Sequence, residues 1–184
     1  GHRVFQLARE TGKALVIHYE FEDRVLPALE RMLAAYPDVR VVIAHFGQIR
    51  HPEREKGFGP DLVRGLLQRF ANLHFDISVG PPNRRYQCTG QHDTVIWQSN
   101  LIGGQSDVLK PEYRAIYEQW SDRFVIGLDY DGSKPPLAEW LPRRSAVLRL
   151  ILRDLPPEVQ HAIGWRNAWR LLTGRDWRGG HPPA

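Results

Sequence analysis

Four short apolar runs in this chain finish on side chains that can do chemistry. "LVIH" ends on His18, "VVIAH" on His45, "HFDIS" on Asp76 and Ser78, and "VIGLD" on Asp129. Imidazole and carboxylate groups ligate divalent metals, and imidazole also carries protons near neutral pH. Taken singly, each residue has an ordinary explanation. A histidine after a strand can pack or cap, Asp129 suits the "DYDG" turn, and Asp76 can satisfy a buried hydroxyl or amide. The recurrence at the same end of successive runs is what points to a shared site. His74 sits further back in its run and reads as structural.

The spacing of apolar residues sets the elements that must bring these ends together. Residues 3–11 read as a helix stopped by Gly12, and 13–20 as a strand. Val25, Leu26, Leu29, Met32 and Leu33 recur at helical spacing. Strands are expected over 39–47, 72–78 and 123–132, and helices from Pro60, over "PEYRAIYEQWSD", and over 137–153, 157–163 and 165–173. Strands alternating with helices argue for βαβ units and a parallel sheet. In "NLHFDIS", Leu73, Phe75 and Ile77 oppose His74, Asp76 and Ser78; in "RFVIGLDYD", Phe124, Ile126 and Leu128 oppose Val125, Gly127 and Asp129. One bulky apolar face and one small or polar face suit a barrel better than an open sheet covered by helices on both sides. His18 and His45 are expected to point into the barrel, sharing the parity of Val16 and Ile43.

A (β/α)₈ barrel needs eight units and about 250 residues, whereas this chain has 184 residues and four visible units. The fold class expected is therefore α/β, a partial (β/α)₈ TIM barrel of about four C-terminal βα units with parallel strands. The chain opens "GHRVFQ", in a helix and without an initiator methionine, as if within a larger fold. Half a barrel leaves two open strand edges and a bare inner face, so a missing half in a second chain, and hence a homo-oligomer, is one expectation. Residues 1–174 read as one domain carrying a long loop insertion at 79–110 that follows a strand and suits a lid; 175–184 read as a tail. The hydrophobic content of 42% and six tryptophans mark a globular chain. No apolar run is long enough to span a bilayer. The net charge of +4 comes from bases mixed among acids, and "RRSAVLRLILRD" reads as a solvated helix face rather than a nucleic-acid groove. Neither nucleic acid nor membrane is expected as a partner. The single cysteine, Cys88, rules out an internal disulfide and fits a reducing, cytoplasmic setting. No Gly-rich loop follows a strand, which argues against a nucleotide binder.

The ordered segments "VIHYE", "VRVVIAHFG", "NLHFDIS", "RFVIGLDYDG" and "RNAWRLLTG" resemble the C-terminal half of the amidohydrolase-related family, the "amidohydrolase 2" members of a superfamily of (β/α)₈ barrels that includes metal-dependent hydrolases, lactonases and nonoxidative decarboxylases. The resemblance covers most of the chain outside 79–110. It implies that His18 is a metal ligand, that His45 activates water or substrate, and that Asp129 binds metal and shuttles a proton. The cofactor implied is a divalent metal, zinc first, with manganese or no metal as alternatives. The family's first strand carries His-x-His, and that pattern is missing from this sequence. The function implied is a metal-dependent hydrolase attacking an amide, ester or lactone carbon with metal-activated water. The alternatives are a nonoxidative decarboxylase and a truncated, non-catalytic domain acting by association. The substrate expected is a small carboxylate or aromatic molecule, with Arg50, His51 and Arg54 able to clamp a carboxylate. Glu20, Asp76 and Asp131 would support the site from behind, and Asn167 is expected to cap the closing helix.

Overall fold

The structure is a computed structural model describing residues 1–47, 58–82, 84–85, 96–100, 104–133 and 135–179. Four parallel strands, β1 (Leu15–Ile17), β2 (Val41–Ile43), β3 (Leu73–Asp76) and β6 (Phe124–Val125), pair in the order β1-β2-β3-β6. Between and around them run α1 (His2–Thr11), α2 (Leu26–Ala35), α3 (Pro60–Arg69), α4 (Pro111–Gln119) and α5 (Leu137–Leu152). α6 (Pro157–His161) passes through a π-helical turn at Ala162–Arg166 into α7 (Asn167–Thr173). Prolines open α3 and α4, where the missing N–H costs nothing, and Gly12 closes α1 in the left-handed conformation.

Strand alternation then divides the sheet. Val41, Ile43, Leu73, Phe75 and Phe124 face one way and are fully buried against Phe5 of α1, Leu33 of α2, Leu66 of α3 and Ile116 of α4. The other face carries Val16, Val42, His74, Asp76 and Val125 in register across the strands. This is the arrangement of a partial (β/α)₈ barrel, helices outside and a second face turned inward, with β1 and β6 as the edges. Half a barrel was expected to leave its inner face bare, and that face is instead partly covered. Leu171 and Ala168 of α7 pack on Val42 and Val125 beside Ala14, while Val16 remains 69% exposed.

Several other expectations change. The strands are shorter than the apolar runs suggested, so His18, His45 and Ser78 fall just beyond the last paired residues, and Asp129 lies further along the segment that follows β6. The 79–110 insertion is not simply a loop: β4 (Trp97–Asn100) and β5 (Gly104–Leu109) form an antiparallel hairpin. The indole of Trp97 is buried and donates to the Gly80 carbonyl at 3.0 Å, fastening the hairpin to the end of β3. The basic helix is not wholly solvated either. Arg143, Arg149 and Arg153 are exposed, but Arg144 lies on the buried side with Leu148 and Ile151. Asn167 is structural without being a cap: its amide donates to the carbonyls of Ser121 (2.6 Å) and Phe124 (2.8 Å), clamping α7 to β6.

His74 tests the inner face. It is buried, its Nδ1 sits 3.2 Å from the Asn72 carbonyl, and burial, reinforced by the charge of Arg123, holds its imidazole down to about 4. The unfolded chain protonates His74 near 6.5 while the fold resists it, so this stabilising contribution is complete above about pH 6.5 and lost as pH falls toward 4. A shift of this size is worth on the order of 3 kcal/mol. Urea unfolding at pH 7 and pH 4 should show His74→Gln losing less stability over that interval than the wild type.

Candidate functional site

His45 reaches the site through an unusual turn. Ala44–Gly47 follow β2, and His45 (φ 54°), Phe46 (φ 60°) and Gly47 (φ 68°) are all left-handed. For residues with a side chain this costs roughly 1–2 kcal/mol each, so surrounding contacts must hold the turn. Phe46 is fully buried, with its ring against those of Phe75, Phe124, Tyr113 and Tyr117. Gly47 accepts from the Phe21 N–H at 3.0 Å, and a Cβ at Gly47 would come within 2.8 Å of the Phe21 ring. The turn also corrects the expected parity of His45. Ile43 faces the helix layer, so plain alternation would have sent His45 there too. The left-handed turn gives that direction to Phe46 and swings His45 to the other side.

There His45 meets the other strand ends. Its Nδ1 lies 2.9 Å from Ser78 Oγ, and its Nε2 lies 3.5 Å from Asp129 Oδ1. Asp76 Oδ1 accepts from the backbone N–H of His45 (3.1 Å), from that of Ser78 (2.8 Å) and from the Ser78 hydroxyl. The Ser78 hydroxyl has one proton, and Asp76 receives it. Ser78 Oγ must therefore accept from His45, which puts the Nδ1 proton on the neutral ring and leaves Nε2 facing Asp129. The His18 ring stands edge-on to His45 with centroids 5.0 Å apart, and His18 Nε2 is 3.5 Å from Glu20 Oε1. Asp129 itself is left-handed (φ 49°). The residue before it is fixed by α5, because the Trp140 indole donates to the Leu128 carbonyl at 2.7 Å.

The structure thus gathers His18, His45 and Asp129 at one mouth, with Glu20 beside His18 and Asp76 beneath His45. Asp131 is exposed and accepts from the backbone and hydroxyl of Ser133 in the next turn. Arg50, His51 and Arg54 lie outside the described residues. Among the described residues, no three His, Cys, Asp or Glu side chains are arranged to hold a metal ion. Two participants and one buried neighbour escaped sequence reasoning. Ser78 was visible at its strand end, but its hydroxyl link to His45 was not. At Gly127, just past β6, a Cβ would lie 2.7 Å from the Asp76 carboxylate, so only glycine lets the chain pass that close. Arg144 could have been suspected from its spacing to Trp140, Leu148 and Ile151, which puts it on the inner side of α5.

A family model described as amidohydrolase matches residues 2–173. The chain belongs to the amidohydrolase family. A crystal structure of an uncharacterized TIM-barrel protein from Bordetella bronchiseptica superposes with a TM-score of 0.55 at 13% identity, over 92% of this chain and 49% of that one. That likeness concerns the fold, and this amidohydrolase chain spans about half the length of the larger barrel. No curated protein matches the sequence significantly. The family generally uses divalent metals. Among the described residues, no helix is long and apolar enough to cross a membrane.

Gly127→Ala should push the Asp76 carboxylate away from the His45 and Ser78 amides. Its φ is not in the left-handed range, so the cost is steric, about 1–3 kcal/mol. Urea unfolding measures it, and an unchanged midpoint would show that Asp76 is not wedged between these strands.

Proposed function

We propose that this chain carries the proton-transfer residues of a hydrolase that attacks a carboxyl-type carbon in an amide, ester or lactone. The observation that carries the proposal is the setting of His45. One ring nitrogen is held by the Ser78–Asp76 pair, and the other is open to the mouth beside Asp129. An imidazole so oriented is a competent general base. His45 Nε2 takes a proton from water as the water oxygen bonds to the carbonyl carbon and the C=O electron pair moves onto oxygen. As that pair returns, the bond to the leaving group breaks and His45 hands its proton to the departing atom. Asp129, 3.5 Å away, stabilises the imidazolium between the two transfers.

Metal chemistry is not complete within these residues. His18 and Asp129 are the ligand types that the family resemblance points to, and two donors fall short of the three protein ligands usual for catalytic zinc. What this chain's own side chains supply is the proton carrier and its orientation. The substrate class that fits an open mouth of imidazole and carboxylate groups is a small molecule.

Turnover of p-nitrophenyl esters, lactones and N-acyl amides, with and without added Zn²⁺, tests the proposal. His45→Asn should lower kcat by about 10²–10⁴-fold. Equal turnover in wild type and His45→Asn would contradict the general-base role. CO₂ release from hydroxybenzoates without hydrolysis of any of these compounds would favour decarboxylation instead.

A further inference from the structure

The inner face of the sheet carries a hydrophobic surface of its own. Val42, Val125 and Leu171 form a small buried cluster apart from the main core. Beside them are Val16, Ile126 and Leu172, which are 69%, 37% and 76% exposed. Together these six side chains line a groove of about 250 Å³. Apolar side chains gathered into a concavity mark a binding site, unlike the ordinary scatter of exposed aliphatic residues. The volume suits a small molecule; a stable protein partner needs a surface of about 800 Å² on each side.

Two charged residues mark the ends of the groove. Lys13 lies ahead of β1, and Asp76 closes β3 at the opposite end of the sheet. The groove therefore runs along the strands. Asp76 belongs to the mouth as well, because its Oδ1 accepts from the backbone N–H of His45 at 3.1 Å. A ligand lying in the groove reaches the reacting groups at its Asp76 end.

We propose that the groove holds the unbranched aliphatic chain of the substrate, with the reacting ester, amide or lactone carbonyl at the Asp76 end and the chain running toward Lys13. Size and charge both support this. An apolar cavity of about 150 Å³ accepts benzene, so a groove of this volume has room for roughly eight to ten carbons. The Asp76 carboxylate repels a carboxylate head at the mouth end and accepts a neutral carbonyl group there. Lys13 is exposed, so its ammonium stays in water while its methylene stem borders the far end of the chain. The small molecule expected at the mouth is thereby narrowed to an aliphatic acyl compound.

The inference rests on the hydrolase reading of the mouth, but binding tests it without turnover. Methyl ketones keep the carbonyl and cannot be hydrolysed. Methyl butyl, methyl hexyl and methyl octyl ketone are titrated into protein carrying ¹³C-labelled methyl groups, with octanoate as the comparison. Saturable shifts are expected at the Val16, Val42, Val125 and Leu171 methyls, with binding tightening about two- to four-fold per added methylene. Intermolecular NOEs should place the acetyl methyl beside Ile126 and the tail methyl beside Ala14. Leu172→Glu and, independently, Val16→Asp put a charge at an exposed groove position, and each should weaken methyl octyl ketone binding at least ten-fold. A failure of the hydrolase reading shows elsewhere, as absent turnover of esters, lactones and amides, and leaves these binding results unchanged. An absence of saturable shifts, or affinity independent of chain length, would overturn the proposal. So would octanoate binding more tightly than methyl hexyl ketone, or unchanged affinity in folded Leu172→Glu and Val16→Asp proteins. Groove methyls that shift on dilution of the protein and not with any ketone would overturn it in favour of a second copy of the chain.

Discussion

The site depends on a backbone turn that an ordinary strand ending would not make. His45, Phe46 and Gly47 are left-handed in succession, and two of the three have side chains that disfavour it. Phe46 is what makes the turn affordable: its ring lies at the centre of an aromatic cluster that joins β3, β6 and α4. Burying an aromatic ring in this way contributes about 2–3 kcal/mol, comparable to the local strain. The core and the site are therefore coupled through adjacent residues. The side chain that anchors the hydrophobic layer is the neighbour of the one that faces the mouth, and the turn sends them in opposite directions.

Asp76 does for the electrostatics what Phe46 does for the packing. It ends β3, between the turn after β2 and the backbone of β6. One of its oxygens accepts from the amides of His45 and Ser78 and from the Ser78 hydroxyl. Through that hydroxyl it also sets the ring orientation of His45. One carboxylate ties the turn after β2 to the end of β3, with the chain just past β6 packed close upon it at Gly127. The polar groups of the mouth are thereby preorganised rather than left to find one another when substrate arrives.

Much of this was legible in the sequence because it follows from periodicity. The alternation in "NLHFDIS" correctly divided the helix-facing residues from the inward ones. In "RFVIGLDYD" it held at Phe124 and Val125 but not at Ile126, which lies past the end of β6, is exposed and lines the inner face with Val16, Val42 and Val125. The order of strand-terminal His and Asp residues announced where the mouth would form. The parity argument failed at His45, because alternation describes extended backbone and the chain leaves the extended region at Ala44. It gave a useful answer for a mistaken reason: Ile43 points outward, and the turn reverses the direction. Arg144 was hidden by its company. Arg143, Arg149 and Arg153 are solvated as the charge pattern implied, and only the helical position of Arg144 separates it from them. The hairpin within 79–110 was masked by turn-forming residues around "VIWQSN". Asn167 was recognised as structural, yet which carbonyls it clamps is a tertiary fact that a local capping rule cannot contain.

The central claim is that this turn holds His45 with Nδ1 on Ser78 and Nε2 toward Asp129. Long-range ¹H–¹⁵N correlation spectra of histidine-labelled protein, recorded where the imidazole is neutral, test it directly. The structure requires His45 to carry its proton on Nδ1, and Ser78→Ala to release that preference without unfolding the chain. A neutral His45 protonated on Nε2 in the wild-type protein would contradict the arrangement from which the rest is built.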